Sequence, residues 1–467
     1  MMGWYPGHLI PTLLLLLNYG VASIATLHAL LTKPDPRSAL SWMGVCWLIP
    51  IAGPLLYWLF GINRVLRHRP LELWRSAVSA SAPSGKDLAF APDQVRVGAA
   101  LTRRPLEAGN HVEALHNGEI AFPRMLQAIN GATESVWLST YIFQSDPVGQ
   151  QFIRALVSAN RRGVEVRVLI DGIGEWYTWP RVVPMLRRAG VRAERFLPPR
   201  LLPPALSLNC RNHRKVLVVD GALAFMGGMN LGGREVGGST GCGMSDLHFA
   251  LQGPIVTQLA QIFAEDWAFA ANERLAASPP QPLSGPTTAR VITGGPDQDL
   301  DKLLLVMLGA LSSARRCVQI MTPYFIPPLE LVAALQTAAL RGVRVALVLP
   351  ERSNLRYVDW ATLHWLPALV ARGVQVYLRR PPFSHAKLFV VDGAYAHVGS
   401  VNVDTRSLRL NFEIAVEVYD TAFCGELESF INRYQEGTAA LTFDTLPDRG
   451  TLRKVRDALC WLVSPYL

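Results

Sequence analysis

A pattern that occurs twice constrains this chain more than any other feature. Residues 212–221 read NHRKVLVVDG, and residues 384–393 read SHAKLFVVDG. Each holds a His, a Lys two positions on and an Asp five beyond that: His213, Lys215 and Asp220, then His385, Lys387 and Asp392. An Asn follows each His by 17 positions, Asn230 in GGMN and Asn402 in GSVN. The apolar, β-branched runs VLVV and LFVV inside the pattern read as buried strands. Residues two apart on a strand share a face, so each copy presents an imidazole beside an ammonium. Matched spacing at all four positions points to a chemical site built from two copies, not to two similar core strands.

The surrounding chain repeats as well. Residues 119–143 have helical spacing followed by a β-rich run, and residues 301–325 repeat that order. RRGVEVRVLID (161–171) matches LRGVRVALVLP (340–350), and AGVRAERF (189–196) matches RGVQVYLR (372–379). The period, roughly 170–180 residues, is too long for a solenoid. Alternating helical and β-rich runs predict an α/β fold: two tandem domains, over 111–285 and 286–467, with mixed, largely parallel sheets flanked by helices and forming a pseudo-dimer.

Three stretches admit two readings each. The insertion LPPRLLPPALSLN (197–209) is either a rigid loop packed on its own domain or an apolar lip touching acyl chains. WYTWP (176–180) and YVDWATLHW (357–365) either line one mouth or are ordinary core aromatics. The tail 451–467 puts Leu452, Val455, Leu459 and Leu462 on one helical face, away from Arg453, Lys454 and Arg456. It reads as an interfacial membrane helix or as a helix docked on its own domain.

Ahead of the repeats, residues 9–31 are apolar, with Asn18 and His28 as the most polar interruptions. Residues 39–61 carry no charge. Each is long enough to span a bilayer core, which takes about 20 helical residues. Residues 1–62 are therefore expected to form a transmembrane hairpin, with the second helix kinked at Pro50 and Pro54 and Trp42, Tyr57 and Trp58 as interfacial anchors. A secretory signal would need a positive charge near the start, and no Lys or Arg precedes Lys33. Arg64, Arg67, Arg69 and Arg75 follow the hairpin, which places the bulk of the chain in the cytoplasm. Residues 63–110 read as a linker, rich in Ala, Ser, Pro and Gly from residue 76.

Composition narrows the partners. A formal charge of +9 suits an anionic partner, an acidic lipid surface or nucleic acid. The six cysteines are scattered without CxxC or Cys/His ligand spacing, which argues for reduced thiols and against a disulfide framework or a zinc site.

The doubled His-x-Lys-x-x-x-x-Asp pattern, with GGMN and GSVN trailing it, resembles the phospholipase D superfamily. The N-terminal hairpin and RSLRLNFE (406–413) are similar to bacterial cardiolipin synthases. The resemblance implies a multi-pass enzyme of the bacterial inner membrane that joins two phosphatidylglycerols into cardiolipin and releases glycerol. Phospholipid hydrolysis and nucleic-acid phosphodiester cleavage are the alternatives, the last disfavoured by the hairpin and by the lack of a nucleic-acid module. The expected partners are an anionic phospholipid and the membrane, with no nucleic acid.

The residues demand related chemistry. A phosphodiester needs a nucleophile, a proton donor for the leaving oxygen and positive charge around the phosphoryl oxygens. One neutral imidazole attacks phosphorus to give a phospho-histidine, and the other handles the proton. Two Lys and two Asn hold the oxygens, so no metal or other cofactor is expected. Neither copy has the full set, which places the site between the domains. By resemblance, Glu413 and Asp246 orient the imidazoles and favour their protonated form, and His213 is the nucleophile. Asp220 and Asp392 are expected to brace loops. Ser400, with Gly228 at the matching place, is expected to give the phosphate a hydroxyl donor on one side only.

Overall fold

The computed structural model describes residues 9–33, 36–62, 92–199, 210–237, 243–276, 281–446 and 449–462. The linker up to residue 91 with its arginines, the insertion from 200 to 209, Cys242 and the tail beyond 462 lie outside them. Contacts divide the chain into a small helical unit and a large α/β unit.

In the helical unit, α1 (Leu9–Thr32) is, among the described residues, the one helix long and apolar enough to cross a membrane. The second apolar stretch is broken. It forms α2 (Pro36–Leu48), a bend, α3 (Ala52–Leu56) and a π-turn over Tyr57–Gly61. Proline removes a helical N–H and crowds the preceding turn, so the break at Pro50 follows from the sequence. It leaves Ile51 at φ 64°, and Asn18 Oδ1 accepts the Ile51 N–H at 2.7 Å. His28 Nδ1 meets the Tyr57 hydroxyl at 2.6 Å. Both polar interruptions of α1 are thus satisfied by the second stretch. Ala22, Ala25 and Ala29 form a buried small-residue strip on α1 that allows close helix packing. Tyr57 is buried, in edge contact with His28 and Trp42, rather than exposed as an anchor.

The α/β unit opens with α4 (Pro92–Thr102), which packs on a helix of the second half and falls, with the start of β1, inside the stretch read as linker. The first half runs β1 (Glu107–His116), α5 (Asn117–Gly131), β2 (Ser135–Thr140), α6 (Pro147–Arg161), β3 (Glu165–Asp171), α7 (Val182–Arg188), β4 (Arg192–Phe196), β5 (Val216–Val219), β6 (Leu223–Gly227), β7 (Leu247–Gln252) and α8 (Ile255–Ala271). The second runs β8 (Thr287–Gly294), α9 (Lys302–Ser313), β9 (Cys317–Met321), β10 (Phe325–Ile326), α10 (Leu329–Leu340), β11 (Arg344–Pro350), α11 (Arg356–Val370) and β12 (Gln375–Arg379). It continues with β13 (Leu388–Val391), β14 (Tyr395–Gly399), β15 (Val403–Asp404), α12 (Thr405–Arg409), β16 (Glu413–Tyr419), α13 (Thr421–Gln435) and α14 (Thr451–Leu462).

Fourteen strands make one sheet in the order β12-β11-β9-β13-β14-β16-β8-β1-β7-β6-β5-β2-β3-β4, and β10 pairs with β15 in a separate ribbon. Reading outward from the β8–β1 pair, the two halves repeat the same order, which is the pseudo-dimer. The α/β class holds, but the sheet is not largely parallel. Parallel pairs are confined to the outer three strands at each end, β12-β11-β9 and β2-β3-β4. The inner pairs are antiparallel, and short turns, not crossover helices, join two of them, β5 to β6 and β13 to β14. In both turns the Asp and Gly have positive φ: Asp220 and Gly221, Asp392 and Gly393. Those dihedrals fit the tight hairpin turn that Asp-Gly favours. Each half buries its own apolar cluster between sheet and helices.

Candidate active site

The two His-x-Lys segments enter β5 and β13 as extended chain and meet at the middle of the sheet. Each is tied to the other half by a parallel bridge, Asn212 to Phe412 and Ser245 to Ser384. The His213 N–H donates to Phe412 O at 2.9 Å, and the His385 N–H to Ser245 O at 2.7 Å. Residue 413 follows 412 and residue 246 follows 245, so these bridges set the pairing of the side chains. His213 Nδ1 lies 2.9 Å from Glu413 Oε1, and His385 Nδ1 lies 3.2 Å from Asp246 Oδ2. Each imidazole is therefore held by a carboxylate from the opposite half. On the other face of the first segment, buried Arg214 donates through Nη1 to both carboxylate oxygens of Asp266 at 2.7 Å and through Nε to Glu413 O at 3.0 Å.

Burial sets the electrostatics. Burial first, then the two ammonium groups, outweighs Glu413 and lowers His213 to about 4. His385 falls well below its usual value for the same reasons, with His213 itself contributing. Burial thus holds both imidazoles toward the neutral form, although Glu413 pulls each toward the charged form, as expected of a carboxylate neighbour. Lys215 drops to about 7, by burial and the Lys387 charge against Glu413. Lys387 is also lowered by burial, against the carboxylates of Asp246 and Glu413. The carboxylates diverge. Burial lifts Asp246 to about 7 despite Lys387. Glu413 lies below the usual carboxylate range: burial works against this, but His213, Lys215 and the Ser400 hydroxyl together outweigh it.

The other expected residues fall into two groups. Asp220 accepts from the backbone N–H groups of Thr133, Glu134 and Ser135, and Asp392 from those of Arg315, Arg316 and Cys317, at 2.6–2.9 Å. Both lie at the hairpin turns, away from the imidazoles, and brace the loops entering β2 and β9. Asn230 and Asn402 differ in their partners. Asn230 Oδ1 accepts the Ile142 N–H at 3.2 Å, whereas Asn402 Oδ1 is buried without a protein partner. Ser400 donates to Glu413, so its hydroxyl is committed to the carboxylate rather than free for phosphate. At Gly228 an added Cβ would lie 2.7 Å from Asp246 Oδ2 and 3.1 Å from Lys387 Nζ, so only glycine leaves room for that carboxylate.

Three neighbours were missed by sequence reasoning. Glu235 accepts the Asn230 N–H at 3.2 Å and is pushed up to about 8 by burial and Asp246. Tyr141 lies edge-on to His213 at 5.4 Å between ring centroids, and Tyr324 to His385 at 6.1 Å. The tyrosines lie one position out of register in the matched runs TYIF (140–143) and TPYF (322–325), so the repeat alone does not pair them. Glu235 has no such doubled context.

Among the described residues no group of three or more His, Cys, Asp or Glu is arranged to hold a metal.

Comparison with known proteins agrees with this geometry. The family described as cardiolipin synthase, PLD-like domain, matches residues 125–267 and 307–434, and a phospholipase D-nuclease N-terminal family matches residues 20–61. The chain is 31% identical to a cardiolipin synthase of Geobacillus kaustophilus, covering 100% of this chain and 96% of that one. It is 33% identical to cardiolipin synthase A of Pseudomonas aeruginosa, covering 95% and 94%. A phosphatidylserine synthase crystal structure from Haemophilus influenzae shares the fold with a TM-score of 0.62 at 15% identity, over 80% of this chain and 100% of that one.

Proposed function

The chain belongs to the cardiolipin synthase family of the phospholipase D superfamily and is a membrane-associated phosphatidyltransferase acting on phospholipid; from that premise we propose that it condenses two phosphatidylglycerols through a phospho-histidine. The observation that carries the reading is the crossed arrangement in which His213–Glu413 and His385–Asp246 share one buried site with both lysines.

Ionised Glu413 accepts the Nδ1–H of His213 and fixes the tautomer, leaving the Nε2 lone pair for attack. In the first step Nε2 bonds to phosphorus and the bond to the glycerol oxygen breaks. A bound phosphodiester adds a negative charge beside His385, which favours its imidazolium. His385 gives its proton to the departing glycerol oxygen. In the second step it takes the proton of a hydroxyl on the second phosphatidylglycerol. That oxygen attacks phosphorus, the P–N bond breaks and His213 is regenerated. Lys215, Lys387 and Asn402 stabilise the phosphoryl oxygens, which carry most of the charge in the transition state.

We also propose that α1 with the broken second stretch forms a two-pass anchor with the catalytic unit on the cytoplasmic side. The arginines that follow residue 62 support this side. The reaction is tested by supplying phosphatidylglycerol alone in bilayers and analysing the products. Equal amounts of diphosphatidyl lipid and glycerol are expected. Phosphatidic acid as the main product from every lipid would replace condensation by hydrolysis.

A further inference from the structure

Two exposed apolar elements of the α/β unit have no part in the chemistry above. The first is the turn after β3, where Trp176, Tyr177 and Trp179 are exposed, Trp179 to 84%. The second is α14. One of its faces is docked: Trp461 stacks on His364 at 4.6 Å, the Arg456 guanidinium covers the Trp360 ring at 4.2 Å, and Asp457 is buried against Arg449 at 2.6 Å. Its other face is bare. Leu452, Val455, Leu459 and Leu462, spaced three, four and three apart, form one stripe, with Leu452 86% exposed. Of the two readings left open for the tail, α14 docks on its own domain, with its apolar stripe left bare.

Each element connects to a catalytic imidazole through aromatic rings. Tyr177 contacts Tyr141 at 6.2 Å, and Tyr141 contacts His213. Tyr324, which contacts His385, packs with Ile326, Val358 and Ala361 in the cluster that also takes Trp461 of α14. Residues 456 and 461 of α14 meet residues 360 and 364 of α11, so the two helices run in the same direction. Tyr357, near the start of α11, packs in that same cluster with Tyr324 and Trp461. Both apolar elements thus flank the same mouth. Basic side chains accompany them: exposed Arg453 and Lys454 on α14, and Arg181 beside the Trp176 ring at 5.8 Å.

We propose that the Trp176–Trp179 turn and the Leu452–Leu462 stripe together form a docking surface for an anionic phospholipid bilayer. It would seat the mouth of the active site on the membrane that holds the substrate. Tryptophans and a leucine face suit the interfacial depth, and the flanking cations suit lipid phosphates. The proposal rests on the reading of a bilayer lipid as substrate.

The test uses full-length protein with Trp176→Ser/Trp179→Ser, and separately with Leu452→Ser/Val455→Ser/Leu459→Ser. Product formation is followed in phosphatidylglycerol vesicles and on a short-chain phosphatidylglycerol dispersed as monomers. Quenching of tryptophan fluorescence by brominated lipid reports insertion independently. Each variant is expected to lose about tenfold or more on vesicles, to stay within about twofold on monomers, and the tryptophan variant to lose part of the quenching. Unchanged vesicle rates, or equal loss on both substrates, would overturn the docking surface. So would a change in oligomeric mass with vesicle activity intact, which would make the stripe a contact between copies. If the wild type condenses neither lipid form, the condensation reading fails, while the quenching still judges the docking.

Discussion

The half of the site around His213 and the half around His385 carry the same motif and are wired differently. His213 faces a longer carboxylate, Glu413, which stays ionised and accepts a further bond from Ser400. His385 faces a shorter one, Asp246, raised to about 7, in the space left by Gly228. Lys387 also approaches His385 Nδ1 at 3.1 Å, while Lys215 reaches only the backbone oxygen of His213, at 2.9 Å. A fixed tautomer beside a firm anion suits a nucleophile. An imidazole between a carboxylate lifted by burial and an ammonium in direct contact suits proton transfer. Two copies of one motif can thus divide the work through the groups around it.

The sharpest way to break this comparison is to remove each imidazole in turn. His213→Ala should lose on the order of 10⁵-fold or more and form no phosphoenzyme. His385→Ala should lose on the order of 10³- to 10⁴-fold with natural lipid, the range of a missing general acid. It should still give a burst and an adduct with a nitrophenyl phosphodiester, whose leaving group needs no proton. A burst from His213→Ala and none from His385→Ala would reverse the roles. Next come the carboxylates. Glu413→Gln should cost about 10³- to 10⁴-fold, because the amide no longer holds the correct tautomer. Asp246→Asn should cost only about 10- to 100-fold, since that group, pushed up to about 7 by burial, is a weaker anion near neutrality than Glu413. Equal losses would remove the distinction.

The motif identified the side chains but not their partners. His213, Lys215, His385 and Lys387 were legible because the spacing is doubled, and Asp220 and Asp392 because they sit at strand ends. That Glu413 serves His213 and Asp246 serves His385 was not legible. It depends on the bridges Asn212–Phe412 and Ser245–Ser384, contacts across about 140 to 200 residues that local pattern does not encode. The antiparallel centre was legible and was missed. VLVV-DG and LFVV-DG, each followed by another apolar run, are hairpin signals. The helix-strand alternation that suggested parallel pairing holds only for the outer strands.

The pH profile sharpens the comparison without altering an imidazole. His213 stays neutral down to about 4, and Lys215 stays charged up to about 7. The free enzyme's kcat/KM should therefore fall below about 4 as the nucleophile protonates, decline gradually above that because neutral His385 must take up its proton on binding, and fall more steeply above about 7 as a cation is lost. Bound phosphate favours the ammonium, so the upper limb of kcat should lie at higher pH than that of kcat/KM. Lys215→Arg keeps its charge throughout and should carry the upper limb upward by about one unit or more. Asp246→Asn should leave that limb in place. If Asp246→Asn moves it instead, the titrating group belongs to the His385 half.

Ser400 offers the smallest and most specific test. Its hydroxyl donates to Glu413 and accepts the Ile414 N–H at 3.1 Å, so it relays a backbone dipole to the carboxylate. Ser400→Gly would make this half resemble the other at that position. The buried carboxylate would lose one donor, and a hydrogen bond to a charged group contributes about 1.5–3 kcal/mol. Only part of that reaches the transition state, because Glu413 keeps its bond to His213, so a loss of about tenfold in kcat/KM is expected. The sign of the pH effect follows from the lost donor. With weaker support for the anion, Glu413 protonates at higher pH, and the lower limb of the profile should move upward in pH. Ser400→Ala should behave the same, which separates the hydroxyl from the volume of the residue. The reciprocal change, Gly228→Ser, should give no gain, since its Cβ would meet Asp246 Oδ2 at 2.7 Å and displace that carboxylate from His385. If Ser400→Ala lowers the rate while the acid limb stays fixed, Ser400 only fills space, and the firmness of Glu413 has to come from His213 and Lys215 alone.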